Sequence, residues 1–175
     1  MKLMSFSVNN KERYGLWVED GVVDLQPFFP QYKTLRELIP YLHLIDESML
    51  AGKKADYVLS EITFLPVITD PRKIICAGMN YQEKRAEFNQ QERDPTLFIR
   101  FADSQTGHLT HLLKPTRSRE FDYEGEMALV IGRGGANIPE SQALEHVAGY
   151  SCYLDGSVRD WQHSWFTAGK NWPRT

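Results

Sequence analysis

Two cysteines in 175 residues, Cys76 and Cys152, are too few for a disulfide framework. Each lies in an apolar run, Lys73-Ile-Ile-Cys-Ala-Gly78 and Tyr150-Ser-Cys-Tyr-Leu154. Both are therefore expected as buried thiols filling core volume, and Cys76 beside Ile74 and Ile75 lacks the electropositive setting of a nucleophile. Long hydrophobic runs are missing too. No segment approaches the roughly 20 apolar residues of a membrane span, and Met1-Lys-Leu-Met-Ser-Phe-Ser-Val8 is too short and interrupted for a signal peptide. The reading is a cytoplasmic protein with no membrane partner. A net charge of −3, from 20 Lys and Arg against 23 Asp and Glu, leaves no basic footprint for nucleic acid. The phosphate-loop ending is absent as well: Gly132-Arg-Gly-Gly-Ala-Asn137 has no Gly-Lys-Ser/Thr and reads as a flexible turn. What is present, 42% hydrophobic and 25% charged residues, is an ordinary globular composition able to bury a core.

The punctuation of the chain suggests an α+β, mostly β, protein in two parts. Strands are expected over 2–8, 13–18 and 22–25, separated by turns at Asn9-Asn10-Lys11 and Glu19-Asp-Gly21. Thr34-Leu-Arg-Glu37 has the form of a capping box, so a helix is expected over 35–42, with a second over 47–52 and a strand over 61–65. Asp70-Pro71 closes this small N-terminal α+β domain, placed at 1–69. Beyond it, in a second domain over 70–175, a buried strand at 73–77 leads through Gly78-Met-Asn-Tyr81 into a helix over 82–89. Strands follow at 96–101 and 122–132. Pro139 suits a first helical position, giving a helix that ends at Gly149, and Ser157-Val-Arg-Asp160 reads as another helix cap.

The chemistry concentrates in Asp122-Tyr-Glu-Gly-Glu-Met-Ala-Leu-Val-Ile-Gly132 and at Asp155. Strand residues two apart point to one face about 7 Å apart at Cα, so Glu124 and Glu126 can converge on one ion. Asp155 ends the aromatic run from Tyr150, at a strand terminus. A Glu-x-Glu pair on a strand is most often a solvated face. Here Ala128 and Val130 share that face, and adjacent like charges repel unless a cation neutralises them. Carboxylates without a neighbouring His or Cys favour a hard cation, magnesium or manganese first and calcium next.

With these blocks in place, the chain from Lys73 onward resembles the fumarylacetoacetate hydrolase family. Lys73-Ile-Ile-Cys-Ala-Gly-Met-Asn-Tyr81 is similar to its opening strand and turn, Asp122-Tyr-Glu-Gly-Glu126 with Leu129-Val-Ile-Gly132 to its acidic strand, and Gly149 through Gln162 to its second signature. Gly169-Lys170 is similar to its third. The resemblance implies a mixed β-roll and one of three activities on short dicarbonyl acids: acylpyruvate hydrolysis by C–C cleavage through a metal-stabilised enolate, decarboxylation, or keto–enol isomerisation, with a place in aromatic catabolism. It implies Glu124, Glu126 and Asp155 as ligands of Mg2+ or Mn2+, Lys170 as a cation near substrate, Gln162 as a substrate-orienting group, and a homodimer. Members carry a His three residues after the Tyr81 position and a Glu three later, which activate water. Here these are Lys84 and Glu87, so Glu87 is the expected base, with Lys84 able to stabilise anions. Members also continue past the Gly-Lys signature, so the chain is expected to be either a fragment or a shortened, non-catalytic homologue.

Overall fold

The computed structural model describes residues 1–50, 52–87 and 96–162. The chain gathers into two compact units. The first takes in Met1–Asp70, Thr106–Leu112 and Tyr123–Asp155, the second Pro71–Gln105, Leu113–Asp122 and the segment from Gly156 onward.

In the first unit, β1 (Leu3–Val8), β2 (Lys11–Val18), β3 (Gly21–Asp24) and β4 (Thr63–Phe64) form an antiparallel sheet in the order β3-β2-β1-β4. Asn9 and Asn10, both at positive φ (50° and 60°), make the tight turn between β1 and β2. Asparagine tolerates that region because its short side chain bonds locally. Gly21 sits at φ 153°, and a Cβ there would collide with the Tyr57 carbonyl, to which the Val22 amide donates at 2.9 Å. The β1 pattern sends Met4, Phe6 and Val8 to one face, where they pack with Val22, Tyr57, Ile62 and Phe64. Tyr14 and Leu16 face the other way, against Leu25, Phe29, Leu35 and Leu38. Each fully buried side chain such as Phe6 or Leu38 contributes about 1.5–3 kcal/mol.

Helix α1 (Leu35–Leu38) starts as expected, with Thr34 Oγ1 accepting from the Glu37 amide. The Glu37 carboxylate accepts from the Lys33 amide at 2.8 Å. The helix does not run to Leu42. Pro40 has no N–H to give, the path continues as a 3-10 turn over Ile39–Leu44, and Tyr41 leaves helical geometry (φ −120°, ψ 22°). The second helix, α2, covers Glu47–Leu50.

The rest of the first unit is a two-stranded antiparallel ladder, β8 (Gly125–Ile131) with β9 (Val147–Leu154). Its register runs from Gly125↔Leu154 and Glu126↔Tyr153 to Val130↔Gly149, then shifts at a bulge so that Ile131 faces Val147. The helix expected between the two strands does not form. Glu140–His146 is a 3-10 segment, and Val147 through Gly149, expected to be helical, are drawn into the ladder where pairing outweighs local propensity. Exposure alternates along both strands. Met127, Leu129, Ile131, Tyr150 and Leu154 lie exposed on the face that also bears Cys152. Cys152 is thus not the buried thiol expected, because alternation outranks an apolar run; Cys76 is half-buried.

In the second unit, β5 (Ile74–Gly78) pairs antiparallel with β6 (Thr96–Arg100). The expected fully buried strand at β5 is corrected: it alternates, and Ile75 is exposed on one face with Leu97 and Ile99. The α3 helix (Gln82–Glu87) follows, while the remainder of the expected 82–89 helix falls outside the described residues. Strand β7 (Phe121–Asp122) pairs with β10 (Ser157–Val158), and α4 (Arg159–Gln162) follows. The strand expected over 122–132 is therefore broken at Tyr123-Glu124, and Ser157, fully buried and paired with Asp122, is a strand residue rather than a helix cap.

Candidate functional site

The ladder of the first unit fixes where the candidate metal ligands start. Gly125 faces Leu154, and the Asp155 amide donates to the Glu124 carbonyl at 2.8 Å, so the pairing extends one step further, Glu124 opposite Asp155. Directly opposed residues of an antiparallel pair share a face at about 4.5–5.5 Å between Cα atoms, and residues two apart share it as well. Glu124, Glu126 and Asp155 thus leave the backbone on one face at one end of the ladder, opposite the apolar one. Glu124 and Glu126 are half-buried and Asp155 is 5% exposed. Among the described residues, no group of three His, Cys, Asp or Glu side chains is gathered to hold an ion. The backbone placement and the all-oxygen donors fit a hard divalent cation, and the glutamates have the side-chain torsions to turn toward one.

In the second unit, Lys84 and Glu87 lie one turn apart on α3 with Nζ to Oε2 at 3.8 Å, and both side chains are exposed, 44% and 67%. A pair this open contributes little to stability and stays hydrated. Gln162 closes α4, and its Oε1 accepts from Arg159 Nη1 at 3.0 Å. Arg159 also grips Asp122, Nε and Nη2 each 2.9 Å from Oδ2. The guanidinium therefore sets both the amide of Gln162 and the strand end just before the acidic run. Next to it, Asp160 accepts from the Arg119 amide at 3.0 Å and the Ser118 hydroxyl at 2.8 Å. The backbone bond to Arg119, with that of Ser118, holds the Asp160 carboxyl below its usual range. Lys170 and His163 lie outside the described residues.

Arg159 and Asp122 were assigned no role from sequence. A signal was available: an arginine four residues after Asp155, in an otherwise acidic neighbourhood, must find a carboxylate. Two of the other histidines have local partners. His146 Nδ1 lies 2.8 Å from the Arg133 carbonyl, and His108 meets Phe64 edge-on with ring centroids 5.0 Å apart.

Residues 73–174 match the family described as fumarylacetoacetate (FAA) hydrolase, C-terminal. The chain belongs to the fumarylacetoacetate hydrolase family. It is 36% identical over 184 residues to a protein of Xenopus laevis named oxaloacetate tautomerase, mitochondrial, a match covering 98% of this chain and 56% of that one. Among solved structures it resembles the fumarylacetoacetate hydrolase of psychrophilic Exiguobacterium antarcticum (TM-score 0.74, 27% identity, 99% of this chain and 62% of that one). It also resembles a probable 2-hydroxyhepta-2,4-diene-1,7-dioate isomerase of Mycobacterium abscessus (TM-score 0.73, 29% identity, 99% and 60%). The α+β, mostly β, fumarylacetoacetate-hydrolase-like fold expected from sequence is the fold observed. The chain spans about half the length of the curated relatives it matches. Among the described residues, no helix is long and apolar enough to cross a membrane.

Proposed function

We propose that the protein is a divalent-metal-dependent keto–enol tautomerase acting on a short dicarbonyl acid of the oxaloacetate class. The observation that carries this reading is the 36% identity, along 98% of the chain, to a relative named for that reaction. Glu124, Glu126 and Asp155 would hold the ion, magnesium or manganese before calcium, which when bound supplies Lewis-acid polarisation of a keto oxygen. Glu87 takes a proton from the carbon between the two carbonyls and the proton is returned to oxygen, so no bond to carbon other than C–H is broken. Lys84 and Lys170 offer positive charge to the developing enolate. Gln162, held by Arg159, orients a substrate oxygen. The division into a domain over 1–69 and a catalytic domain over 70–175, and a homodimer, belong to the same proposal; the exposed apolar faces support association.

Acylpyruvate hydrolysis is the second reading, favoured by the name of the Exiguobacterium relative. Position 84 weighs against it. Hydrolysis needs an activated water, and position 84 carries a lysine, its exposed Nζ 3.8 Å from Glu87, in place of the imidazole that would share that task. Tautomerisation needs one proton moved and no water. The test follows the ultraviolet absorbance of enol-oxaloacetate with magnesium or manganese. Ketonisation is expected to accelerate over metal alone, with acylpyruvate cleavage undetected until Lys84→His restores an imidazole. Acylpyruvate cleavage by the unaltered chain with no effect on oxaloacetate would reverse the order of the two readings.

A further inference from the structure

Arg100 is a buried cation that the reaction just described does not use. It is the last residue of β6, paired with Ile74 of β5, and 7% exposed. A guanidinium keeps its charge at every accessible pH, so burying one is costly unless it makes directed hydrogen bonds. One of those bonds is specific: Arg100 Nη2 donates to the Gly156 carbonyl at 2.8 Å, across 56 residues of sequence. Gly156 is the residue after Asp155. The chain there passes from the Asp155 amide, held by the Glu124 carbonyl at 2.8 Å, directly to the Gly156 carbonyl, held by the guanidinium, and then into the fully buried Ser157 and Val158 of β10. Glycine adds no side chain to restrain this turn, so the charge-assisted bond to the Gly156–Ser157 peptide supplies a restraint that the residue's own preferences do not.

We infer that Arg100 is a positioning residue for the Asp155–Gly156 turn, setting the direction in which the Asp155 carboxylate is offered to a divalent cation. The inference rests on the metal reading of Asp155. Groups that orient a ligand without touching the ion typically change metal affinity by about 10–100-fold when removed. Arg100→Met keeps much of the apolar stem and loses the donor. Arg100→Lys keeps a donor and the charge but not the planar fork.

The experiment is titration calorimetry of Mn2+ into the purified chain and its variants, with circular dichroism establishing that each is folded at the temperature used. Tyr14→Phe, a destabilising change in the other unit, is the control. Arg100→Met is expected to raise the Kd for Mn2+ at least tenfold and Arg100→Lys by a smaller factor, whereas Tyr14→Phe leaves it within twofold despite a lower Tm. Amide exchange in the metal-free protein gives a second readout: Ser157, the N–H of the same peptide, should exchange at least tenfold faster in Arg100→Met. A folded Arg100→Met with unchanged Kd and unchanged Ser157 exchange overturns the inference. Should Arg100→Met fail to fold, an unchanged Kd in Arg100→Lys overturns it instead. An unaltered chain that takes up no Mn2+ overturns the metal reading itself, a distinguishable result.

Discussion

Tyr14→Phe removes one atom from a fully buried position of the N-terminal sheet, and its consequences can be worked out in advance. Tyr14 is 1% exposed, and its hydroxyl lies 3.0 Å from the Phe29 carbonyl and 2.9 Å from that of Tyr32. One proton is shared between two acceptors in the connection leading to α1. The ring stays in place in the variant, so the apolar core is kept; what is lost is a buried hydrogen bond worth about 1 kcal/mol and the partner of two carbonyls, for a total of roughly 1–2 kcal/mol. In a chain of this size that lowers Tm by roughly 2–8 °C. Burial, helped by the charges of Asp24 and Glu37, pushes the Tyr14 hydroxyl up from 10.0 to about 12. A folded pKa above the unfolded one means the stabilisation is fully present below pH 10 and is lost as pH rises toward 12. Thermal melts of both proteins from neutral pH to about pH 11.5 should therefore show a constant gap that closes above about pH 10. A gap smaller than about 1 °C at neutral pH, or one that persists unchanged at the alkaline end, would refute the reasoning.

The alternation of β8 and β9 predicts that Cys152 reacts with a thiol reagent in the native protein well before Cys76, because only Cys152 is exposed; equal rates would contradict the register. Leu129→Lys, on the same apolar face, is expected to lower binding of a hydrophobic dye and to raise the concentration at which the chain associates, both measurable by fluorescence and light scattering. Arg159→Lys keeps a charge near Asp122 but cannot also reach Gln162 with a planar fork. Turnover of enol-oxaloacetate should fall by roughly tenfold or more with a smaller change in metal affinity, since the guanidinium holds the amide of Gln162.

Much of this was legible in the residues. The hairpin strands, the Asn9-Asn10 turn and the Thr34 cap are local features, and local chemistry decides them. The shared face of Glu124 and Glu126 was legible because a period of two is a property of any strand. Three things were not. Pro40 sits inside an apolar stripe that continues past it, so the stripe overstated the helix after Leu38. Val147 through Gly149 carry a helical spacing that pairing with β8 overrides. Cys152 and Ile75 sit in apolar runs, but with only one neighbouring strand each such run buries alternate side chains and leaves the rest exposed. Arg100 and Arg159 bond to partners 56 and 37 positions away, and sequence spacing does not name which partners those are.

The most direct test is Mn2+ titration of the chain beside a variant with Glu124→Gln, Glu126→Gln and Asp155→Asn together. The account predicts saturable uptake of one ion by the unaltered chain, a rise in its Tm with added Mn2+, and neither in the triple variant. Uptake that survives the three substitutions would place the ion elsewhere, and no uptake by the unaltered chain would remove the metal from the chemistry.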